Sequence, residues 1–141
     1  MRRNGFTLIE MMIVIVIMGI MLAMATPKLH DWSASADARG ARTAATSLLA
    51  KARAAAIQNN KVTTAAFSGT SGAVFVPATN DTLQRVALGS EYGVTMSPSS
   101  WSVTYDPRGI GGFQDPVTVT FTKSGKTSSL TVSGYGRVES E

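Results

Sequence analysis

Hydrophobic and polar positions divide the chain into three parts, each with its own periodicity. From Phe6 to Ala25 apolar residues are almost continuous, and Glu10 is the only charged residue among them. Residues 34–56 are alanine-rich, and apolar positions recur among them at intervals of three and four, the period of a helix. After Lys61, short runs of Val, Thr and aromatic residues alternate with Gly, Ser, Pro and Asn, which predicts strands. The pattern therefore predicts an apolar helix, an amphipathic helix and a strand-rich head.

The apolar segment, residues 6–25, is long enough to cross a membrane. At about 1.5 Å per residue, a helix of this length spans about 30 Å, the thickness of a bilayer's hydrocarbon core. A secretory signal peptide is not expected, because the basic segment before it is very short and no small-x-small cleavage site follows. Arg2 and Arg3 directly precede the span, and basic residues favour the cytoplasmic side. We therefore expect a single-pass protein with its C-terminal head on the far side of the membrane, which in a Gram-negative cell means an inner-membrane protein with its head in the periplasm.

Residues 26–60 are predicted to continue the helix as its amphipathic half. Pro27 removes one backbone donor and predicts a bend at that point. Gly40 costs a helix about 1 kcal/mol relative to alanine, and Asn59-Asn60 is the predicted end. One helical face carries Ala41, Ala45, Leu48, Ala52 and Ala55, and the opposite face carries Arg39, Arg42, Thr46 and Arg53. Small residues on the apolar face would let a sheet approach the helix closely.

The last part, residues 61–141, is predicted to be an antiparallel β unit. Ser124-Gly125-Lys126 has the composition of a tight hairpin between two alternating strands. The predicted strands are Val62–Phe67, Ala73–Val76, Leu83–Leu88, Val94–Met96, Trp101–Tyr105, Val117–Thr122 and Ser128–Ser133. A long helix followed by such strands predicts the α+β class, with the helix packed on a sheet.

The N-terminus, Arg2-Arg3-Asn4-Gly5 followed by Phe6-Thr7-Leu8-Ile9-Glu10, resembles the prepilin leader and mature start of type IV pilins and type II secretion pseudopilins. The resemblance implies that residues 1–5 are a leader, that a prepilin peptidase cleaves after Gly5, and that it methylates the new amine of Phe6. It also implies that Glu10 meets the Phe6 amine of a neighbouring subunit during assembly. A carboxylate in a membrane helix costs about 2.5–3.5 kcal/mol near the bilayer centre, so it is normally paired or functional. The alternative is an acid that only reaches toward the membrane surface.

A second resemblance covers most of the remaining chain. Three stretches are similar to GspH/FimT-like minor pseudopilins: Lys51-Ala52-Arg53-Ala54-Ala55-Ala56, Tyr105-Asp106-Pro107-Arg108-Gly109, and Leu130 to Val138. This resemblance implies a β-sandwich head. It also implies the function of a minor pseudopilin, a structural subunit of the periplasmic pseudopilus of a type II secretion system. A minor pilin of a type IV pilus, acting in DNA uptake, is the alternative, and both use the same anchor.

Composition argues against catalysis and against a metal or cofactor site. The chain has no cysteine and a single histidine, His30, which lies beside Asp31 at the predicted membrane boundary. That position is a poor one for a Ser-His-Asp triad. The acids Asp106 and Asp115 lack the ligand spacing of a calcium loop, and the glycine-rich stretch between them lacks the Lys-Ser/Thr ending of a phosphate loop. The expected partners are therefore the prepilin peptidase, other filament subunits and the membrane.

DNA is not an expected partner, although three arginines are candidates for weak contacts. The chain has 13 basic and 9 acidic residues, a net charge of +4, and loss of Arg2 and Arg3 would leave 11 against 9, or +2. Arg39 and Arg42 could face solvent, a neighbouring subunit or nucleic acid. FimT-like pilins that bind DNA have a C-terminal glycine-arginine motif with a further arginine. Here Gly136-Arg137 is followed by Val138-Glu139-Ser140-Glu141, which replaces the second basic position with acids.

Overall fold

A computed structural model describes residues 6–112 and 115–140, apart from the side chains of Ala25, Pro27 and Ser140. The chain forms two compact units, Met1–Ser33 and Ala34–Glu141. Helix α1, Leu8–Asn59, begins in the first unit and ends in the second. In the described part of the first unit every side chain is exposed. The N-terminal part of α1 is apolar, and the helix is long enough to cross a membrane. The helix continues through Pro27, and a bend there stays a prediction.

The second unit contains two four-stranded antiparallel sheets and a short helix. The first sheet has the order β3-β2-β1-β5 and the second has the order β4-β6-β7-β8. The strands are β1 Thr63–Ser68, β2 Ser71–Val76, β3 Asp81–Val86, β4 Thr95–Ser97, β5 Ser100–Tyr105, β6 Val117–Lys123, β7 Lys126–Val132 and β8 Val138–Ser140. Helix α2, Leu88–Tyr92, lies between β3 and β4. The α+β class, with a long helix packed against antiparallel sheets, is therefore confirmed.

The hairpin between β6 and β7 forms at the predicted place. Lys123 pairs with Lys126, so that only Ser124 and Gly125 connect the strands. Both connecting residues have positive φ, 47° and 78°. This is the backbone of a type I′ turn, whose twist matches that of two antiparallel strands. The turn fixes the register that places Val119 opposite Leu130, both fully buried.

The second half of α1 and the inner faces of both sheets share one hydrophobic core. The helix contributes Ala34, Ala38, Ala41, Ala45, Leu48, Leu49, Ala52 and Ala56, all buried. The strands contribute Ala65, Phe67, Val74, Trp101, Val103 and Tyr105 from the first sheet, and Met96, Val119, Phe121, Leu130 and Val132 from the second. Phe67 and Trp101 stack with ring centroids 4.1 Å apart. The predicted stripe is wrong at its last position, because Ala56 is buried whereas Ala55 is only half-buried. The residue four positions after Ala52 lies on the side of the helix that faces the core, and the residue three positions after it lies at the edge of that side.

The predicted strand Leu83–Leu88 is wrong at its end, because β3 stops at Val86 and Leu88 begins α2. Burial of the Leu88 side chain holds this helical turn against the core, and Gly93 closes it in the left-handed conformation. Tyr92, the last residue of α2, lies over Gly40 of α1. A Cβ atom on Gly40 would be 2.7 Å from Tyr92 Cε1. The glycine that weakens the helix locally therefore makes room for the tyrosine ring.

Strand β8 was missed by the sequence analysis. It pairs antiparallel with β7 through Leu130↔Ser140, Thr131↔Glu139 and Val132↔Val138. The turn that precedes it is closed by bonds from the Gly136 N–H to the Ser133 carbonyl and from the Ser133 N–H to the Arg137 carbonyl, both 2.8 Å. Strand β8 has only three residues, of which one is apolar, so its sequence shows no alternating pattern. The strand is recognised only from its pairing with β7. Ends of the other predicted strands differ from the observed ends by a few residues.

Candidate functional site

The N-terminal motif begins helix α1 with a side-chain cap. The Glu10 N–H donates to Thr7 Oγ1 at 3.3 Å, and the Met11 N–H donates to the Thr7 carbonyl at 3.3 Å. Thr7 is thus the N-cap and Glu10 the third helical residue, the spacing of a capping box. Phe6 precedes the helix and is exposed, whereas Gly5 lies outside the described residues. The carboxylate of Glu10 is therefore exposed in the first helical turn, where the helix dipole stabilises a negative charge.

Arg39 and Arg42 lie together on a polar notch between α1 and β7. The notch has a volume of 350 Å³ and is lined by Ser35, Arg39, Arg42, Thr127, Ser128 and Ser129. Within it, Arg39 Nε donates to the Ser35 carbonyl at 3.2 Å. We call this set of residues the arginine notch. Two guanidinium groups among hydroxyls are suited to carboxylate or phosphate oxygens.

Arg137 lies elsewhere, on a larger groove that the sequence analysis did not predict. The groove has a volume of 440 Å³ and lies beside Tyr105, so we call it the Tyr105 groove. It is lined by Thr46, Leu49, Ala50, Arg53, Ala54 and Ile57 of α1, by Tyr105, and by Gly136, Arg137 and Val138. The structure therefore brings Arg137 together with Arg53 rather than with Arg39 and Arg42. No sequence signal indicated this, because α1 and the C-terminal segment meet only through the fold.

Tyr105 connects the groove to the C-terminal turn. Its hydroxyl donates to the Gly136 carbonyl at 3.2 Å, and the side chain is buried. Burial raises the pKa of the Tyr105 phenol above its ordinary value, and the positive charge of Arg53 opposes this in part. The phenol is therefore neutral near neutral pH and acts as a hydrogen-bond donor that holds the turn.

The described residues contain no group of three or more His, Cys, Asp or Glu side chains that could hold a metal ion. His30 and Asp31 are exposed on α1 in the first unit. The features available for function are thus an exposed carboxylate at a helix start, a polar arginine pair, and a groove with an apolar lining and two arginines. Such features bind and position other molecules.

Comparisons with known proteins identify the family. Residues 1–26 match the model of the prokaryotic N-terminal methylation motif, and residues 41–136 match that of the type II transport protein GspH. The chain belongs to the GspH/FimT-like family of pilins and pseudopilins. Pilin-like protein PilA1 of Thermus thermophilus is 28% identical in an alignment of 158 positions that covers 100% of both chains.

Solved structures of the type IV minor pilin FimU from Pseudomonas aeruginosa have the same fold. One crystal form matches with a TM-score of 0.61 at 17% identity, covering 74% of this chain and 87% of FimU. A second form gives a TM-score of 0.58 at 17% identity, covering 73% of this chain and 91% of FimU. With the anchor helix and the prepilin motif, these findings define a membrane-anchored structural subunit of the pilin and pseudopilin type.

Proposed function

We propose that this protein is a minor subunit of a type IV pilus. The observation that carries the proposal is the division of helix α1: its N-terminal part is apolar and exposed, and its C-terminal part is buried under two sheets. An exposed apolar helix needs a membrane or other helices around it. A filament subunit has both surroundings in turn: the membrane before assembly, and the helices of other subunits after it. The similar proteins PilA1 and FimU are named as a pilin-like protein and a type IV minor pilin, which favours a pilus.

A type II secretion pseudopilus is the second candidate. The resemblance in the sequence favours it, and so does the match of residues 41–136 to the type II transport protein GspH. The two assemblies use the same anchor and the same head architecture. They differ in the other subunits of the filament and in what the filament moves.

The proposed assembly chemistry uses Phe6 and Glu10. A prepilin peptidase would remove residues 1–5 by cleaving after Gly5 and would methylate the amine of Phe6. The methylated amine remains a cation, and the exposed carboxylate of Glu10 on a neighbouring subunit would pair with it. Pairing offsets the free energy needed to bury two isolated charges in an apolar bundle. In a subunit that joins in the wrong register, the two charges stay unpaired and this free energy is not offset. Arg2 and Arg3 would hold the leader in the cytoplasm, leaving the head in the periplasm.

Mass spectrometry of the chain from native membranes and from sheared filaments tests this proposal. The expected mass is that of a chain beginning at Phe6 with one added methyl group, present in both fractions. A strain without the prepilin peptidase is the control and should retain the chain from Met1. Deleting the gene should then reduce surface pili and leave exoprotein secretion unchanged. Loss of secretion with normal pili would instead favour the pseudopilus.

A further inference from the structure

Three exposed apolar side chains lie on the segments that border the Tyr105 groove, namely the end of α1 and two loops. Ile57, Ile110 and Tyr135 are large apolar side chains with exposed fractions of 51%, 44% and 80%. Gly109 packs on Ile57 so closely that a Cβ atom there would be 2.7 Å from Ile57 Cδ1. The Gly111 N–H donates to the Tyr135 carbonyl at 2.9 Å. The segments that carry the three side chains are therefore in direct contact, and we call these side chains, with the Tyr105 groove, the apolar patch.

Hydrogen bonds hold both loops of the apolar patch in place. The Asp106 carboxylate accepts from the backbone N–H groups of Ile110 and Arg108, each at 2.9 Å, and from Arg108 Nε at 3.0 Å. The bond from the Ile110 N–H, with those from Arg108, holds the pKa of Asp106 below its ordinary value. The Tyr105 hydroxyl fixes the Gly136 carbonyl in the other loop. A surface ordered in advance loses little conformational entropy when it binds.

Two arginines give the apolar patch a charge preference. Arg53 from α1 and Arg137 from the C-terminal turn both line the Tyr105 groove. In the described part of the chain neither guanidinium forms an ion pair. Both arginines are exposed, and a guanidinium group forms geometrically specific paired bonds with a carboxylate, which strengthen when a bound partner covers them and excludes water. The complementary ligand is therefore an apolar side chain with a carboxylate close to it.

The lining of the groove favours a protein over a nucleic acid. Surfaces that bind single strands stack bases on several aromatic rings along a basic track. Here the accessible lining is largely aliphatic, including Ala54, Ile57 and Val138, and it can desolvate an apolar side chain but not a phosphate. Tyrosine and arginine around an apolar depression are also the residues that dominate binding energy in protein interfaces.

We propose that the apolar patch docks a neighbouring filament subunit through a segment in which an apolar residue is flanked by Asp or Glu. This inference rests on the proposed function, since it takes the partner to be another subunit of the same filament. The apolar residue would enter the Tyr105 groove beside Ile57 and Val138. Its flanking carboxylates would pair with Arg53 and Arg137.

Site-specific photocrosslinking in the native host tests the proposal with the full chain. The photoreactive residue p-benzoylphenylalanine replaces Tyr135, which is exposed, and in the control it replaces Thr82 on β3, at the opposite edge of the first sheet from β5. The expected result is an adduct from position 135 with a second protein that carries a prepilin motif. The crosslinked peptide should contain an apolar residue next to Asp or Glu. Position 82 should not give this adduct.

Charge exchange tests the role of the arginines. Combining Arg53→Glu and Arg137→Glu should reduce the adduct by about tenfold or more, whereas Arg53→Lys with Arg137→Lys should largely retain it. Changing the partner's acidic residue to Lys should restore the adduct in the glutamate variant. An adduct that is equally strong in the glutamate variant would overturn the proposed pairing. Adducts that nuclease treatment removes would overturn the choice of a protein partner.

Filament fractionation, done in parallel, separates this inference from the proposed function. If the chain is present in sheared filaments but position 135 gives no adduct, the docking surface is wrong and the proposed function stands. If the adduct with a prepilin-motif protein forms but the chain is absent from filaments, the docking surface is supported and the proposed function is wrong. Absence of both results overturns both.

Discussion

Lys123 Nζ lies 2.6 Å from Asp37 Oδ2, so strand β6 is tied to helix α1 by an ion pair. The same ammonium donates to the Tyr92 carbonyl at 2.8 Å, which adds the last residue of α2 to the contact. The two side chains are 31% and 32% exposed. Such partly desolvated groups are less screened by water and salt than a fully exposed pair. The pair therefore fixes how α2 and β6 meet the helix within the second unit.

We predict that Lys123 and Asp37 stabilise the head jointly. Asp37→Asn and Lys123→Met should each lower the free energy of unfolding, and their effects should be coupled by about 1 kcal/mol, the upper end for partly exposed pairs. Lys51→Met is the matched control, since Lys51 is exposed on the same helix. Chemical unfolding of the detergent-solubilised chain measures the three single variants and the variant that combines Asp37→Asn with Lys123→Met. Strictly additive effects of the two substitutions would contradict the prediction.

Most of the fold follows from local patterns in the sequence. The length of α1, its end at Asn59 and the hairpin at Ser124-Gly125 each depend on residues close together in the chain. Helix α2 and strand β8 could not be predicted, because each is too short for a period to show. Leu88 is equally compatible with a strand end or a helix start, and its burial against the core decides between them.

The candidate site divides in the same way. The sequence singles out Phe6 and Glu10 as candidates because the N-terminal motif is continuous, and Arg39 and Arg42 as candidates because they share a helical face. It does not locate the Tyr105 groove, since Arg53 and Arg137 meet only when β8 pairs with β7 beside α1. From the sequence, Gly40 is expected only to lower the stability of the helix, because helix propensity contains no information about the Tyr92 ring that occupies the space beside it.

Glu10 provides the second prediction. Glu10→Ala should leave membrane insertion intact, because it removes a charge from an apolar helix, but it should strongly reduce recovery of the chain in filaments. The structural reason is the exposed carboxylate beside the helix start, which the alanine variant lacks. Membrane fractionation measures insertion, and immunoblotting of sheared filaments measures assembly.

The control for Glu10 separates charge from helix capping. Glu10→Gln keeps a side chain that is suitable for the capping box with Thr7 but removes the charge. If pairing with the Phe6 amine is responsible, Glu10→Gln should fail to assemble as Glu10→Ala does, and Thr7→Ala should assemble. Normal assembly of the Gln variant would show that helix capping, and not charge, is the function of Glu10.

The third prediction concerns the pH dependence of the head. Burial raises the folded-state pKa of Tyr105 above that of a tyrosine in an unfolded chain. The folded state therefore holds the phenolic proton more tightly, and this contribution to stability is complete below about pH 10, the ordinary tyrosine pKa. It is lost as the pH rises from there through the folded-state pKa. Unfolding free energies measured between neutral pH and the alkaline range should fall above that point.

Tyr105→Phe is the variant that isolates this effect. At neutral pH it should cost about 1 kcal/mol, because the Gly136 carbonyl loses its donor. Above about pH 10 its stability should fall less steeply than that of the unmodified chain. Tyr135→Phe is the control, since the Tyr135 side chain is 80% exposed and its removal should leave the alkaline slope unchanged. An unchanged alkaline slope in Tyr105→Phe would refute the assignment.

The fourth prediction is that the chain binds duplex DNA weakly. Non-specific affinity comes from several basic side chains that neutralise neighbouring phosphates along one track. Here Arg39 and Arg42 lie on the arginine notch, whereas Arg137 lies on the Tyr105 groove with a different set of neighbours. Glu139 follows Arg137 closely and is exposed, so its charge repels the phosphates that Arg137 attracts. The positive charges are thus divided between two sites, and one of them has an acid beside it.

A titration of the full chain in neutral detergent with duplex DNA at physiological salt checks this prediction. Typical non-specific dissociation constants are about 10⁻⁴–10⁻⁶ M, and we expect binding at or beyond the weak end of that range. Glu139→Arg is the informative variant: it should tighten binding and steepen the salt dependence, because it adds one phosphate contact beside Arg137. Saturable binding near 10⁻⁶ M by the unmodified chain, lost in Arg137→Ala, would overturn the prediction and favour DNA uptake. Loss in the combined Arg39→Ala and Arg42→Ala variant would instead place the DNA surface on the arginine notch, where the flanking hydroxyls of β7 would contact the phosphates.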